Sequence, residues 1–174
     1  RPPFHNIQVR RAINQALDRR AYVKGLRYGG AIASSAMPPR PQGLWGLTPQ
    51  DVAPLPGFRD PVRDRADAKR LLAEAGFGPD KPLSLAIEST NSDSPKKMSE
   101  TIAVMWKQTL GVDAKVHAQD RDSWLAVFSA GTWDVFNDDL VGDFAGPESY
   151  LSYMDPRAEA GYNWPSPEYE AAID

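Results

Sequence analysis

A chain of 174 residues, 41% hydrophobic and 25% charged, can bury one substantial core, so one domain or one large lobe is expected. It has no cysteine, which excludes thiol catalysis, disulfide bridges and thiolate metal sites, and no apolar run approaches the ~20 residues of a membrane-spanning helix. The net charge of −3 is uneven: residues 1–45 hold eight Lys or Arg against Asp18, whereas residues 119–174 hold Arg121 and Arg157 against twelve acids, a field that disfavours a nucleic-acid partner and favours cationic ones.

Val9, Ala12, Ile13, Ala16 and Leu17 recur at helical spacing and predict one amphipathic helix from Val9 to about Lys24. Arg10, Arg11, Arg19 and Arg20 fall on its polar side and read as a solvated face. From Ala31 to Pro61 the chain is rich in proline and glycine without a sustained period, so residues 31–61 read as a long loop. A loop of that length is usually functional or covering, and Leu44-Trp45-Gly46-Leu47 is expected to pack down on the body.

Asp64, with Asp67 behind it, predicts a capped helix start, and Gly76 its stop. Leu83, Leu85 and Ile87 alternate with Ser84, Ala86 and Glu88, the period of a strand. Ser94-Pro95 opens a longer helix, with proline at its first position and Met98, Ile102, Met105, Trp106 and Thr109 along one side, and Gly111 closes it. Val112 to Ala118 is the next strand. Asp120 caps a helix carrying Trp124, Leu125, Val127 and Phe128 that stops at Gly131, and Trp133 to Phe136 forms a third strand. The sequence opens at Arg1 without an initiator methionine and closes in what reads as a helix cut short, Tyr169 to Asp174, so a longer parent protein is expected.

Strand, helix, strand, helix, strand predicts an α/β fold with parallel pairing and right-handed crossovers. The strand ends then share one edge, which collects Thr90-Asn91-Ser92, Gln119-Asp120 and Asn137 to Asp143. Gly142-Asp143-Phe144 puts a carboxylate on a glycine-flanked turn where open α/β sheets gather ligands. Asp143 there either holds a ligand's cationic group or caps its own turn. Trp45, Trp133 and Trp164 lie outside the predicted helix interiors, where aromatics often line clefts.

Other chemistries find less support. His5 and His117 are the only imidazoles, and neither sits in a nucleophile setting. Gly29-Gly30 lacks a phosphate-loop pattern, and Asp138, Asp139 and Asp143 lack calcium-loop spacing, so no metal and no catalytic residue is assigned. A carboxylate-dependent hydrolase using Asp143 with Asp138 or Asp139 is one alternative. An interaction module docking through residues 31–61 is another.

Four stretches together resemble the extracellular solute-binding proteins of the peptide and nickel type, family 5, receptors of ABC importers. They are Pro3-Phe4 with Val9 to Arg19, Asp64 to Phe77, Gly142-Asp143 to Leu151, and Tyr162-Asn163. The resemblance implies the C-terminal lobe, domain III, of a type II (class C) periplasmic binding protein: a small, mainly parallel sheet flanked by helices. Residues 1–174 are then a single lobe truncated at both ends. It further implies a non-enzymatic, cofactor-free component of a periplasmic or extracellular receptor, with or without a lipid anchor and monomeric at full length. Such a receptor closes on a peptide or similar small solute and delivers it to ABC permease subunits; an opine, an oligosaccharide or a nickel chelate is the alternative cargo. In the family pattern W-x-G-D-x-x-D-P the aspartate after glycine pairs with a peptide's α-ammonium group. Asp143 occupies that position, with Leu140 in place of the tryptophan and Gly146 in place of the second aspartate. Asn137 and Asp139 resemble cleft-facing positions, and Trp133 and Trp45 complete the candidate ligand-binding set.

Overall fold

The computed structural model describes residues 2–26, 37–40, 43–138, 146–152, 155 and 166–173. In chain order the elements are α1 (Ile7–Gln15), α2 (Arg19–Leu26), α3 (Pro49–Val52), α4 (Pro61–Glu74), β1 (Ser84–Thr90), α5 (Asp93–Leu110), β2 (Asp113–Gln119), α6 (Arg121–Ala130), β3 (Val135–Phe136), α7 (Glu148–Leu151) and α8 (Pro167–Ile173). They group into two compact units, Arg1–Ala33 with Ala53–Asp138, and Ser34–Val52 with Asp139–Asp174.

The first unit holds the sheet, in the order β2-β1-β3 with both pairings parallel. Leu85, Ile87 and Ser89 share one face of β1 and are buried, as are Val9 and Ala12 of α1, Ala68 and Leu72 of α4, Trp106 of α5, and Leu83 and Val112 before the strands. All but Ser89 form one apolar cluster. The opposite face carries α6, whose Trp124 stacks on Phe136 with ring centroids 4.4 Å apart. One crossover helix on each face is what right-handed connections require when the chain first steps outward from β1 to β2 and then returns past β1 to β3.

Local chemistry explains where the structure departs from the periodicity. The expected single helix from Val9 to Lys24 is two helices, because Asp18 behaves as an N-cap: its side chain accepts from the Ala21 N–H at 2.9 Å and its carbonyl from Tyr22. The arginines are not one solvated face. Arg11 and Arg20 are exposed, but Arg10 donates to the Phe4 carbonyl, and Arg19 donates to the Asn14 and Gly57 carbonyls at 3.0 and 2.8 Å with its guanidinium 4.5 Å over the Phe58 ring. Burial pulls the Arg19 pKa down, with the Asp64 charge partly opposing. Gly57 has a φ of +93°, and a Cβ there would press on Arg19 and Asn14.

The cap of α4 is Asp60, not Asp64: Asp60 accepts from the N–H groups of Val62 and Arg63, with Pro61 at the first position. Asp64 is buried in the first turn and accepts from the Gly57 and Arg59 N–H groups, both at 3.0 Å, and from Arg59 Nε at 2.6 Å. Arg59 also reaches Asp67 and the Gln15 side chain, each at 2.8 Å. Burial works against its charge, but the two carboxylates outweigh it and hold its pKa above the ordinary value. The α5 helix starts at Asp93, so Pro95 is its third residue. The expected strand Trp133 to Phe136 is paired only over Val135–Phe136, since the Asp134 side chain, rather than more backbone, takes the Ala86 N–H at 3.0 Å.

In the second unit, α3 lies within the stretch expected to be loop, capped by Thr48, whose hydroxyl bonds Asp51 at 2.6 Å. Pro38 and Gly46 approach so closely that a Cβ on Gly46 would overlap the Pro38 carbonyl. Leu44, Trp45 and Leu47 do not pack down as expected: they are 70%, 55% and 43% exposed. In the same unit Tyr169 of α8 donates its hydroxyl to the Leu151 carbonyl at 2.8 Å.

Candidate functional site

Parallel pairing brings the C-terminal ends of all three strands to one edge of the first unit. β1 ends in Thr90 and runs on into Asn91-Ser92, β2 ends in Gln119 and runs on into Asp120, and Asn137-Asp138 follows β3. The Asn91 N–H donates to the Gln119 carbonyl at 2.7 Å, and the Asn137 N–H to the Glu88 carbonyl at 2.9 Å, so the backbone stays tied past each strand end. Asp120 caps α6, accepting from the N–H groups of Asp122 and Ser123 and from the Ser123 hydroxyl. Those bonds, the Ser123 N–H first, hold its carboxyl below the usual range.

Just inside this edge, on the face that carries α6, lies a polar cluster. Glu88 is buried, with 7% exposure, and its two oxygens are taken separately: Oε1 lies 3.1 Å from His117 Nδ1 and Oε2 accepts from Gln119 Nε2 at 2.7 Å. Glu88 and His117 are register partners, and Gln119 is two residues on, so all three side chains share one face. Phe136 flanks Glu88 on β3, and Trp124, Phe128 and Trp133 gather around that ring. Sequence reading passed over Glu88 because its alternation looks like any solvent-facing strand position. The strand order, which puts β1 in the middle, is what buries it.

The candidate ligand-binding residues separate. Asn137 stands at the edge, half-buried, with its side-chain amide donating to the Pro95 carbonyl at 3.0 Å and the Ser99 hydroxyl at 2.9 Å. Trp133 is half-buried in the aromatic cluster, its ring centroid 5.6 Å from that of Phe136. Trp45 belongs to the second unit and is exposed. Asp139, Leu140 and Asp143 lie outside the described residues. Among the described residues no group of three or more His, Cys, Asp or Glu side chains is gathered as metal ligands, and no helix is long and apolar enough to cross a membrane.

Comparison with known proteins places this geometry. The family model for bacterial extracellular solute-binding proteins, family 5 Middle, matches residues 1–162. The chain is 34% identical over 154 residues to the periplasmic oligopeptide-binding protein OppA of Salmonella typhimurium, covering 87% of this chain and 27% of that protein. It is 32% identical over 154 residues to the periplasmic murein peptide-binding protein MppA of Escherichia coli, covering 87% and 28%. The solved Haemophilus influenzae OppA complex with RPPGFSPFR shares the fold with a TM-score of 0.86 at 22% identity, over 99% of this chain and 34% of that one. The chain thus spans little more than a quarter of the length of the two sequence relatives.

Proposed function

The chain belongs to the family 5 bacterial extracellular solute-binding proteins, and from that premise we propose that it is one lobe, domain III, of a two-lobed ABC-importer receptor. The receptor captures a peptide or a similar small solute outside the cytoplasmic membrane and delivers it to permease subunits. In this reading it binds its solute and does no chemistry on it, which the names of its relatives, both binding proteins, support. The observation that carries this reading is the parallel strand order, which gathers the three polar strand ends on one edge. Asp143 follows that edge by five residues along the chain from Asp138.

Asp143 is the anchor for a ligand's ammonium group. A carboxylate facing an ammonium in a cleft from which most water is excluded gains a charge-assisted hydrogen bond, which bulk water largely cancels on an open surface. Closing the second lobe supplies that exclusion, so recognition belongs to the whole receptor. Asp139, Leu140, Trp133 and Trp45 are further contact candidates.

The test is a thermal-shift screen of the full-length protein and its Asp143→Ala variant against trialanine, the nonapeptide RPPGFSPFR, a nickel chelate and an oligosaccharide, because a ligand bound only by the native state raises the melting temperature. Peptides are expected to stabilise the parent, and Asp143→Ala to weaken their binding about 10–100-fold. Equal responses of parent and variant remove the anchor, and a response to the chelate or the oligosaccharide alone removes the peptide reading.

A further inference from the structure

The third strand is too short to hold itself. It has two paired residues, and side chains tie both of its ends: Asp134 accepts from the Ala86 N–H before it, and the Asn137 amide bonds α5 after it. The amide's orientation follows from chemistry, since the Pro95 carbonyl can only accept and must face the nitrogen. Its second partner, Ser99, is fully buried in the second turn of α5. The same stripe of that helix continues through Ile102, Ala103 and Trp106 into the apolar core. A serine there gives up helix propensity and buries a hydroxyl, and Asn137 is the partner that offsets both.

We infer that Asn137 is a positioning residue. Its link to Ser99 fixes the C-terminal end of β3 against α5, the point from which the chain leaves the strand, six residues before Asp143 in the sequence. Its effect on ligand affinity rests on the proposed receptor function; its effect on the strand end does not.

The experiment compares the full-length parent with Ser99→Ala, Asn137→Ala and the double variant. Backbone amide hydrogen exchange is followed in the ligand-free protein, and trialanine affinity is measured by calorimetry. Each single variant is expected to speed exchange at Asn137 and Asp138 about tenfold while leaving the Ile87 amide unchanged, and to weaken trialanine binding by a similar factor. The double variant should be no worse than Asn137→Ala, because the two side chains act as one contact. A general loss of stability, with Ile87 exchange rising in parallel, overturns the inference. So does an Asn137→Ala variant that loses affinity beside a Ser99→Ala variant with parent affinity and parent exchange, since Ser99 is buried and Asn137 would then touch the ligand itself. Where the parent does not bind trialanine, affinity is read with the nonapeptide RPPGFSPFR instead; a parent that binds neither removes the peptide reading, and the exchange rates then decide the link on their own.

Discussion

The two faces of the three-stranded sheet are built from the same strands yet solve different problems. One presents Leu85, Ile87 and Ser89 to α1, α4 and α5 and is apolar apart from a single buried hydroxyl. The other presents Glu88, His117 and Gln119 beside one helix, α6, with an aromatic cluster filling the side toward β3. The first face owes its stability to area removed from water and to close packing. The second holds a buried carboxylate that is tolerable only because each oxygen has its own partner. The difference teaches that β1, as the central strand, is buried on both sides from Ile87 to Ser89, so polar residues there must be satisfied rather than solvated.

The contrast breaks hardest at Trp106. Its ring is buried and its Nε1 donates at 2.8 Å to the Ile13 carbonyl, one of those left open at the C-terminal end of α1. Trp106→Ala is expected to lower stability by about 3–5 kcal/mol, as a cavity and a lost bond together require, measured by urea unfolding; a loss below about 1 kcal/mol would mean that α5 is not packed on this face.

A smaller effect is expected on the polar face. Glu88→Ala should cost about 1–3 kcal/mol by stranding its partners, whereas Glu88→Leu, which removes the buried charge and keeps the volume, should be close to neutral. His117→Ala should stay within about 1 kcal/mol because the imidazole is half exposed, its side chain 53% accessible. Equal losses for Glu88→Ala and Glu88→Leu in the same unfolding experiment would show that the contacts of the carboxylate, not its burial, govern this face.

The smallest effect is the acid dependence of the α6 cap. The folded-state pKa of Asp120 lies below its ordinary value, so its contribution is fully present above the unfolded pKa and is lost as pH falls through the folded one. Stability should therefore decline from about pH 4 downward. Asp120→Asn keeps an acceptor without a titrating proton, and its melting temperature should fall less over that range; parallel curves for parent and variant would remove Asp120 as a contributor.

Much of this was legible from local rules. The αβα alternation, the strand β1, the Asp120 cap and the glycine stops at 111 and 131 need only periodicity and the conformational preferences of single residues. Position along the chain also placed Asn137 on the edge. The errors came where two local signals competed: Asp18 splits a helix that apolar spacing alone would continue, and Asp60 takes the cap that Asp64 resembled. Leu44 and Trp45 were expected to pack down because they are apolar, but they are exposed.

By itself the sequence determined most of the element types, the parallel topology and, through its four family stretches, the family. Those depend on neighbours within a few residues or on patterns read in line. Only the tertiary structure decided that Glu88 is buried against His117 and Gln119, that Arg59 and Arg19 knit the Gly57 loop to α1 and α4, and that Asn137 spends its amide on Pro95 and Ser99. Apart from the ties of Arg59 to Asp64 and Asp67 in α4, which span 5 and 8 positions, each of those facts joins residues between 29 and 44 positions apart, and which distant groups meet is set by strand order and helix packing, to which no local preference responds.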